Sequence, residues 1–475
     1  MVFSSVTFLG YFLPAALLLY HVLPWKNLVL LLVSLAFYAW GDLASLPVLL
    51  VYIVVNYVIG RLMERPGWRG PGAVLGVVAN LGLLITYKYA GFLVTQANVV
   101  LASLGAGVLP VPALVLPLGI SFFSFQGISY ILDIRRGVIQ PQRSLIAFGM
   151  YKAMFPQLIA GPIVRYRTIA GRVTHRRVSA FRFRFGLTLL ILGLAQKVLI
   201  ANTVALPADQ IFAIPHAQLG FATAWFGAIC YTLQIFFDFA GYSTMAIGMA
   251  HLFGFNFPIN FNRPYIAQSV TEFWRRWHIT LSTWFRDYLY IPLGGNRGSA
   301  WSTYRNLLIV FVLCGFWHGA AWTFLAWGLY HGALLAAERA GLGAFVASLW
   351  RPLRHLYLLV LVVIGWVFFR ADTIGQALHF LAAMAGLSPG DPLGAPLARF
   401  VNIRVLVALA AGCVFACLAL SKGRSWMPLT GRPQAATGLL LLRDGGAYAV
   451  LLALFAATAI MIASGAYNPF IYYRF

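Results

Sequence analysis

Two histidines stand in surroundings where an ionisable side chain is costly. His318 lies in Phe316-Trp317-His318-Gly319, at the end of an apolar run that opens near Asn306, and a second apolar run carries Tyr330-His331-Gly332. His278 lies in Trp274-Arg275-Arg276-Trp277-His278, in a stretch dense in both aromatic and basic residues. Imidazole exchanges a proton near neutral pH and is the commonest general base. An ionisable group deep in an apolar run is by default a functional-site candidate. The opposing reading is a buried neutral histidine that hydrogen-bonds a neighbouring helix and does no chemistry. Ser282, four residues after His278, keeps a covalent route open. The chain has no Gly-x-Ser-x-Gly elbow and no cysteine beside a base, so general-base chemistry without a protein nucleophile is the simpler reading. Asp238, beside Gly241 and Ser243, either orients a histidine or forms an ion pair that packs helices.

The elements that must position these groups read as helices. In residues 273–290, helical spacing puts Trp274, Trp277, Leu281, Trp284, Phe285 and Tyr288 on one broad face, with Arg275, Arg276 and Arg286 off it. Such a helix suits the membrane interface. Glu272 and Arg276 are spaced to pair on it. A loop carrying Asn260, Asn262 and Arg263 precedes it. Residues 306–337 have basic ends, Arg305 and Arg339, and read as a hairpin bent at His318-Gly319, where glycine permits the bend. One long tilted helix is the rival. Residues 144–161 are apolar between two basic flanks, which predicts a re-entrant or broken helix interrupted near Phe155-Pro156 and Gly161-Pro162.

Composition sets the class. The chain is 61% hydrophobic and 9% charged, with a mean hydropathy of +0.82. These values place it among polytopic membrane proteins. The predicted fold is all-α, a single membrane-embedded domain over residues 1–475, with about ten spanning helices plus re-entrant and interfacial ones. The first apolar run, residues 8–23, lacks a basic leader and a small-residue cleavage site and reads as a retained span. The net charge of +23 sits mostly in short loops beside apolar runs, which argues for membrane topology over nucleic-acid binding. Taking basic loops as cytoplasmic puts both termini outside, with inner basic loops at residues 165–184 and 422–443. The former could also hold anionic lipid or donor phosphates. Cys230, Cys314, Cys413 and Cys417 lie in apolar runs without paired spacing, so neither a disulfide frame nor a metal site is expected.

The motifs also carry a resemblance. Trp-Arg-Arg-Trp-His-Ile-Thr-Leu-Ser (274–282), Asp-Tyr-Leu-Tyr-Ile-Pro-Leu-Gly-Gly (287–295) and Phe-Trp-His-Gly (316–319) resemble the membrane-bound O-acyltransferase family, within it the alginate O-acetyltransferase branch. The likeness extends to Phe237-Asp238-Phe239-Ala240-Gly241-Tyr242-Ser243 and to Phe155-Pro156-Gln157-Leu158-Ile159-Ala160-Gly161-Pro162. It implies that His318 is catalytic and His278 its companion. The residues themselves add Trp317, Asn260, Asp238 and Ser282 as supporting candidates and Arg275 and Arg276 as donor-binding candidates. The resemblance implies no bound cofactor, acetyl-CoA as the cytoplasmic acyl donor, and a hydroxyl of an extracytoplasmic polysaccharide, alginate first, as acceptor. Periplasmic acetyltransferase or polysaccharide-binding partner proteins would complete the transfer, and the bacterial inner membrane is the implied location. On this reading His318 takes the acceptor proton and His278 stabilises the oxyanion or binds donor. Acetylation of peptidoglycan or cellulose and D-alanyl transfer to teichoic acid are alternatives within the class. A lipid or sugar transporter and a non-catalytic scaffold are alternatives outside it.

The charge asymmetry generates a topology prediction. A cysteine introduced at Thr174 should react with an impermeant maleimide only after the cytoplasmic face is opened, and one at Asp391 should react in intact spheroplasts. The reverse pattern overturns the orientation.

Overall fold

The computed structural model describes residues 2–388, 396–417 and 438–469, with backbone only over 438–444. The Asp391 labelling site and the basic residues Lys422, Arg424 and Arg432 lie outside the described residues, as does the side chain of Arg443. Among the described residues every regular element is a helix. Among the described residues, four helices are long and apolar enough to cross a membrane: Arg69–Ser103, Ala180–Phe212, Arg351–Arg370 and Gly445–Ala463. Shorter apolar helices include Lys26–Gly41, Leu46–Leu62 and Ile403–Cys417. Ile374–Met384 is also helical, inside a stretch read from sequence as an external segment.

The chain divides into two compact units, Met1–Arg182 with Met249–Pro258, and Phe183–Gly248 with Ile259–Phe475. In the first, the Leu46–Leu62 helix exposes Leu50, Val51, Val54 and Val58 and buries Tyr52, Ile53 and Asn56. Apolar residues outside and polar ones inside is the pattern of a helix solvated by lipid. The apolar stretch 144–161 is broken, as expected: Leu145–Ala153 ends before Met154, and Phe155–Leu158 forms one further turn. Lys152, fully buried in that stretch, donates to the Tyr52 hydroxyl at 3.0 Å and lies 5.0–5.8 Å from four aromatic ring centres. The rings supply the electrostatic solvation that water would otherwise give.

In the second unit, the helix Phe221–Leu252 packs backbone to backbone against Ala180–Ala195. A Cβ at Gly193 would come 2.5 Å from the Gly241 carbonyl oxygen, and one at Gly241 would come 2.7 Å from the Gly193 oxygen. This approach lets Lys197 reach Asp238, Nζ to Oδ1 at 2.6 Å, both side chains buried. The helices Ala300–His318 and Trp322–Ala337 form the hairpin, closed by glycines, since a Cβ at Gly315 would come 3.2 Å from Gly328 Cα. The bend differs from expectation in its cause. Gly319 has φ −163°, an extended value open to any residue, and glycine is required because the Phe324 ring fills the space a Cβ would take. Residues 273–290 are likewise not one helix. Val270–Arg276 stops, Ile279–Phe285 starts anew, and His278 between them has φ +42°. The single apolar face read from sequence is therefore two short faces, both buried.

Removing one partner of a buried ion pair strands the other charge. Asp238→Ala should cost about 3–5 kcal/mol, read as a large fall in the melting temperature of the detergent-extracted protein. The double replacement Lys197→Met, Asp238→Leu should recover most of it. An unchanged melting temperature for Asp238→Ala would show that the pair does not hold these helices.

Candidate active site

The start of Val270–Arg276 is fixed by two acceptors. Ser269 Oγ accepts from the Glu272 N–H at 3.0 Å. The Glu338 carboxylate accepts from the Val270 and Thr271 N–H groups at 2.6 and 2.9 Å and from the Thr271 hydroxyl at 2.7 Å. A carboxylate on the exposed amides of a helix start satisfies them and faces the positive end of the dipole. Arg276 is held by Glu272 at 2.7 Å and donates to the Asn262 carbonyl at 3.2 Å. Burial alone would raise the Glu272 carboxyl, but the Gln268 N–H and the Arg276 guanidinium hold it below the ordinary carboxylate range. Arg275 is exposed. The two arginines grouped by sequence thus differ, one committed to structure and one facing out.

Trp274, on this helix, and Trp277, just past its end, pack inward. Trp277 meets Phe236, Phe261, Phe273 and Trp366 at ring-centre distances of 4.8–6.0 Å. Trp274 meets Trp327 and His331, at 5.5 and 5.1 Å. The chain then turns through the left-handed conformation at His278, rare for a residue with a side chain. Asn260 holds this turn from the preceding loop. Its carbonyl accepts from Ile279 N–H at 2.9 Å. Its Oδ1 lies 3.2 Å from Thr280 N, 2.8 Å from Thr280 Oγ1 and 3.1 Å from His278 Nδ1.

His318 arrives from the other side, on the last turn of Ala300–His318. Trp317 packs against both histidines, its ring centre 6.2 Å from that of His278 and 4.9 Å from that of His318. Trp327 and Phe369 pack against His318 at 5.3 and 5.0 Å, and Phe239 packs against His278 at 4.6 Å. The structure therefore assembles His278, Asn260, Trp317 and His318 in one aromatic-walled interior. Asp238 is on the same helix as Phe239, yet its carboxylate is held by Lys197. The Ser282 hydroxyl donates to the Trp277 carbonyl at 3.4 Å. His331 is fully buried, and neither of its ring nitrogens has a hydrogen-bond partner among the described residues.

Beyond His318 lies a cavity of about 170 Å³ lined by Tyr231, Thr323, Phe324, Phe369, Arg370 and Asp372. Phe369 belongs to both its wall and the packing of His318. Arg370, 8% exposed, pairs with Asp209 at 2.6 Å. Lys197, Thr280, Glu338 and Arg370 were not singled out from the sequence as site residues. Lys197 and Glu338 carried a readable signal, a lone charge within or at the end of an apolar run. Thr280 carried none. Among the described residues no three His, Cys, Asp or Glu side chains gather where they could hold a metal ion.

The membrane-bound O-acyltransferase family model matches residues 139–371, a span that contains every site residue above except Asp372. The probable alginate O-acetylase AlgI of Azotobacter vinelandii is 41% identical over the full length of both chains, and that of Pseudomonas aeruginosa is 39% identical, also over the full length of both. The peptidoglycan O-acetyltransferase of Helicobacter pylori is 37% identical over 81% of this chain and 78% of its own. The full-length matches show that this chain belongs to the membrane-bound O-acyltransferase family and is an integral-membrane O-acyltransferase.

Proposed function

We propose that the protein moves acetyl groups from cytoplasmic acetyl-CoA to hydroxyls of an extracytoplasmic polysaccharide, alginate, directly or through a periplasmic partner that completes the transfer. The observation that carries this reading is the pair of buried imidazoles, His278 and His318, both packed against Trp317 in an interior walled by aromatic rings. Acyl transfer to an alcohol needs a group to take the hydroxyl proton as the oxygen attacks the thioester carbon. It also needs a site from which water is excluded, because water is the competing acceptor. The aromatic wall supplies the second, and the imidazoles the first.

The polymer rests on the relatives named alginate O-acetylase, which align with all of this chain. The peptidoglycan O-acetyltransferase supports the same chemistry on a second polymer. The basic loops support a cytoplasmic donor side. The cavity beside Phe369 and Thr323, at the end of the hairpin away from Arg305 and Arg339, fits the acceptor side. The location follows as the bacterial inner membrane.

The test is transfer of labelled acetyl from acetyl-CoA by the purified protein in lipid nanodiscs. Alginate oligomers and peptidoglycan fragments are offered separately, with and without a periplasmic extract. Label should appear on alginate oligomers and depend on His318. His318→Gln should lower transfer by about 10²–10⁴-fold while leaving acetyl-CoA affinity unchanged. Preferential labelling of peptidoglycan would reassign the acceptor. Undiminished transfer by a folded His318→Gln protein would remove His318 from the reaction.

A further inference from the structure

We infer that the first unit carries a site for an anionic phospholipid, its phosphate on Arg143 and Arg167 and its acyl chains on the apolar helix faces beside them. Every residue of this site belongs to the first unit, and none of the residues around the histidines takes part, so it stands independently of the acyltransferase reading. An open cleft of about 670 Å³ lies just past the ends of the helices Leu46–Leu62 and Ile120–Arg135, lined by Glu64, Gln140, Gln142, Arg143, Tyr166 and Arg167. Arg61 and Arg135 sit on those same helix ends, and Arg69 reaches across to the Ile134 carbonyl. Arginines gathered at the ends of apolar helices mark the headgroup level of a bilayer.

The cleft is built, with its backbone fixed and its charges under-used. Gln142 donates from its side chain to the Tyr166 hydroxyl at 2.8 Å, accepts from the Ser144 N–H at 2.9 Å, and donates from its main chain to the Tyr130 hydroxyl at 2.9 Å. The Tyr57 hydroxyl donates to the Arg143 carbonyl at 2.7 Å. These bonds hold the main chain of Arg143, while its side chain is 81% exposed. Glu64 is held by Arg61 at 2.5 Å and lies 3.6 Å from Arg143. Arg167 lies 3.9 Å from the buried Asp133 carboxylate. Three arginines thus meet two carboxylates, and both of those that line the cleft stand well beyond the about 2.7–2.9 Å of a charge-assisted hydrogen bond. A phosphate, with its several acceptor oxygens, gives both guanidiniums a closer partner.

The apolar surface beside the cleft selects a lipid over a soluble phosphate. Leu145 and Ile146 follow Arg143 by two and three residues and are exposed, as is Val138 on the cleft wall. On Leu46–Leu62, Val54, Val58 and Arg61 recur at helical spacing on one face, so an exposed valine stripe leads to the arginine that holds Glu64. Leu46–Leu62 packs against Leu145–Ala153, with the Tyr57 ring 6.0 Å from that of Phe148. Basic groups and exposed apolar side chains therefore alternate along one short path. A soluble anion uses only the first of these, whereas a phosphate ester of diacylglycerol uses both.

The experiment pairs native mass spectrometry of the full chain with crosslinking of the wild-type protein by phosphatidylglycerol that carries a photoreactive headgroup. Phosphatidylglycerol should be retained in preference to phosphatidylcholine of the same acyl chains, and the crosslinks should fall within residues 138–146 and 166–170. Arg143→Gln and Arg167→Gln should each weaken phosphatidylglycerol binding by about five-fold. Arg177→Gln, at an exposed arginine outside the cleft, should leave it unchanged. Glycerophosphoglycerol, the same headgroup without chains, should not displace the lipid at equal concentration. The assignment is overturned by equal retention of the two lipids, by crosslinks elsewhere in the chain, or by an equal loss in Arg177→Gln. Displacement by glycerophosphoglycerol or inorganic phosphate at the lipid's own concentration would overturn it too, making this a site for free phosphate. The crosslink map needs no variant and decides the matter even where an arginine replacement does not fold.

Discussion

Within a membrane-embedded interior no water answers a buried polar group, so each must be satisfied by the protein or left unsatisfied at a cost. That constraint organises the second unit. Lys197 answers Asp238. Glu338 answers the free amides that begin Val270–Arg276. Asn260 answers Thr280, Ile279 and one nitrogen of His278 with a single residue. His278 Nε2 and both nitrogens of His331 have no hydrogen-bond partner among the described residues, nor do Asn260 Nδ2 and the indole N–H groups of Trp274 and Trp327. An unanswered buried nitrogen is where a substrate's polar atom has something to replace. His331 differs in that its Nε2 faces Gly365, where a Cβ would come within 2.6 Å, so its ring is held by packing against Trp274 and Trp327.

The same constraint explains why the site is built from broken helices. A continuous helix satisfies its own backbone and leaves side chains only its outer face. Interrupting residues 273–290 at His278 frees amides that must find partners, and Asn260 is the partner for two of them. The break thereby ties the ring of His278 to the loop ahead of it, which a histidine on an uninterrupted helix face would not be. The hairpin break after His318 does the equivalent by steric means, with Phe324 folded over Gly319 and Phe369 packed on the imidazole.

Much of this was legible in the sequence. The all-helical membrane class followed from composition, the interruption near Phe155-Pro156 from charge on both flanks, and the hairpin at His318-Gly319 from its basic ends. The Glu272–Arg276 pair followed from spacing. The break at His278 was not legible, because the aromatic period runs on through Trp277 and Leu281 as though one helix carried it. Nothing local in Trp-His-Ile-Thr announces a left-handed residue; the contacts that hold it come from Asn260, eighteen residues away. The partner of Asp238 was hidden for a similar reason. Lys197 is 41 positions earlier and meets it only because Gly193 and Gly241 let two backbones touch.

The placement of Trp317 connects the two histidines in a way neither motif states alone. His278 and His318 are forty residues apart and arrive on separate helical elements, yet each packs edge-on against the same indole. A flat, rigid side chain packed on two imidazoles does not compete for their nitrogens, which a polar residue there would do. It also continues the wall formed by Phe239, Phe261, Trp327 and Phe369, so this contact and the water barrier are one surface. A smaller residue at 317 would therefore act on two properties together. It would loosen the packing of both imidazoles, and it would open this interior to water.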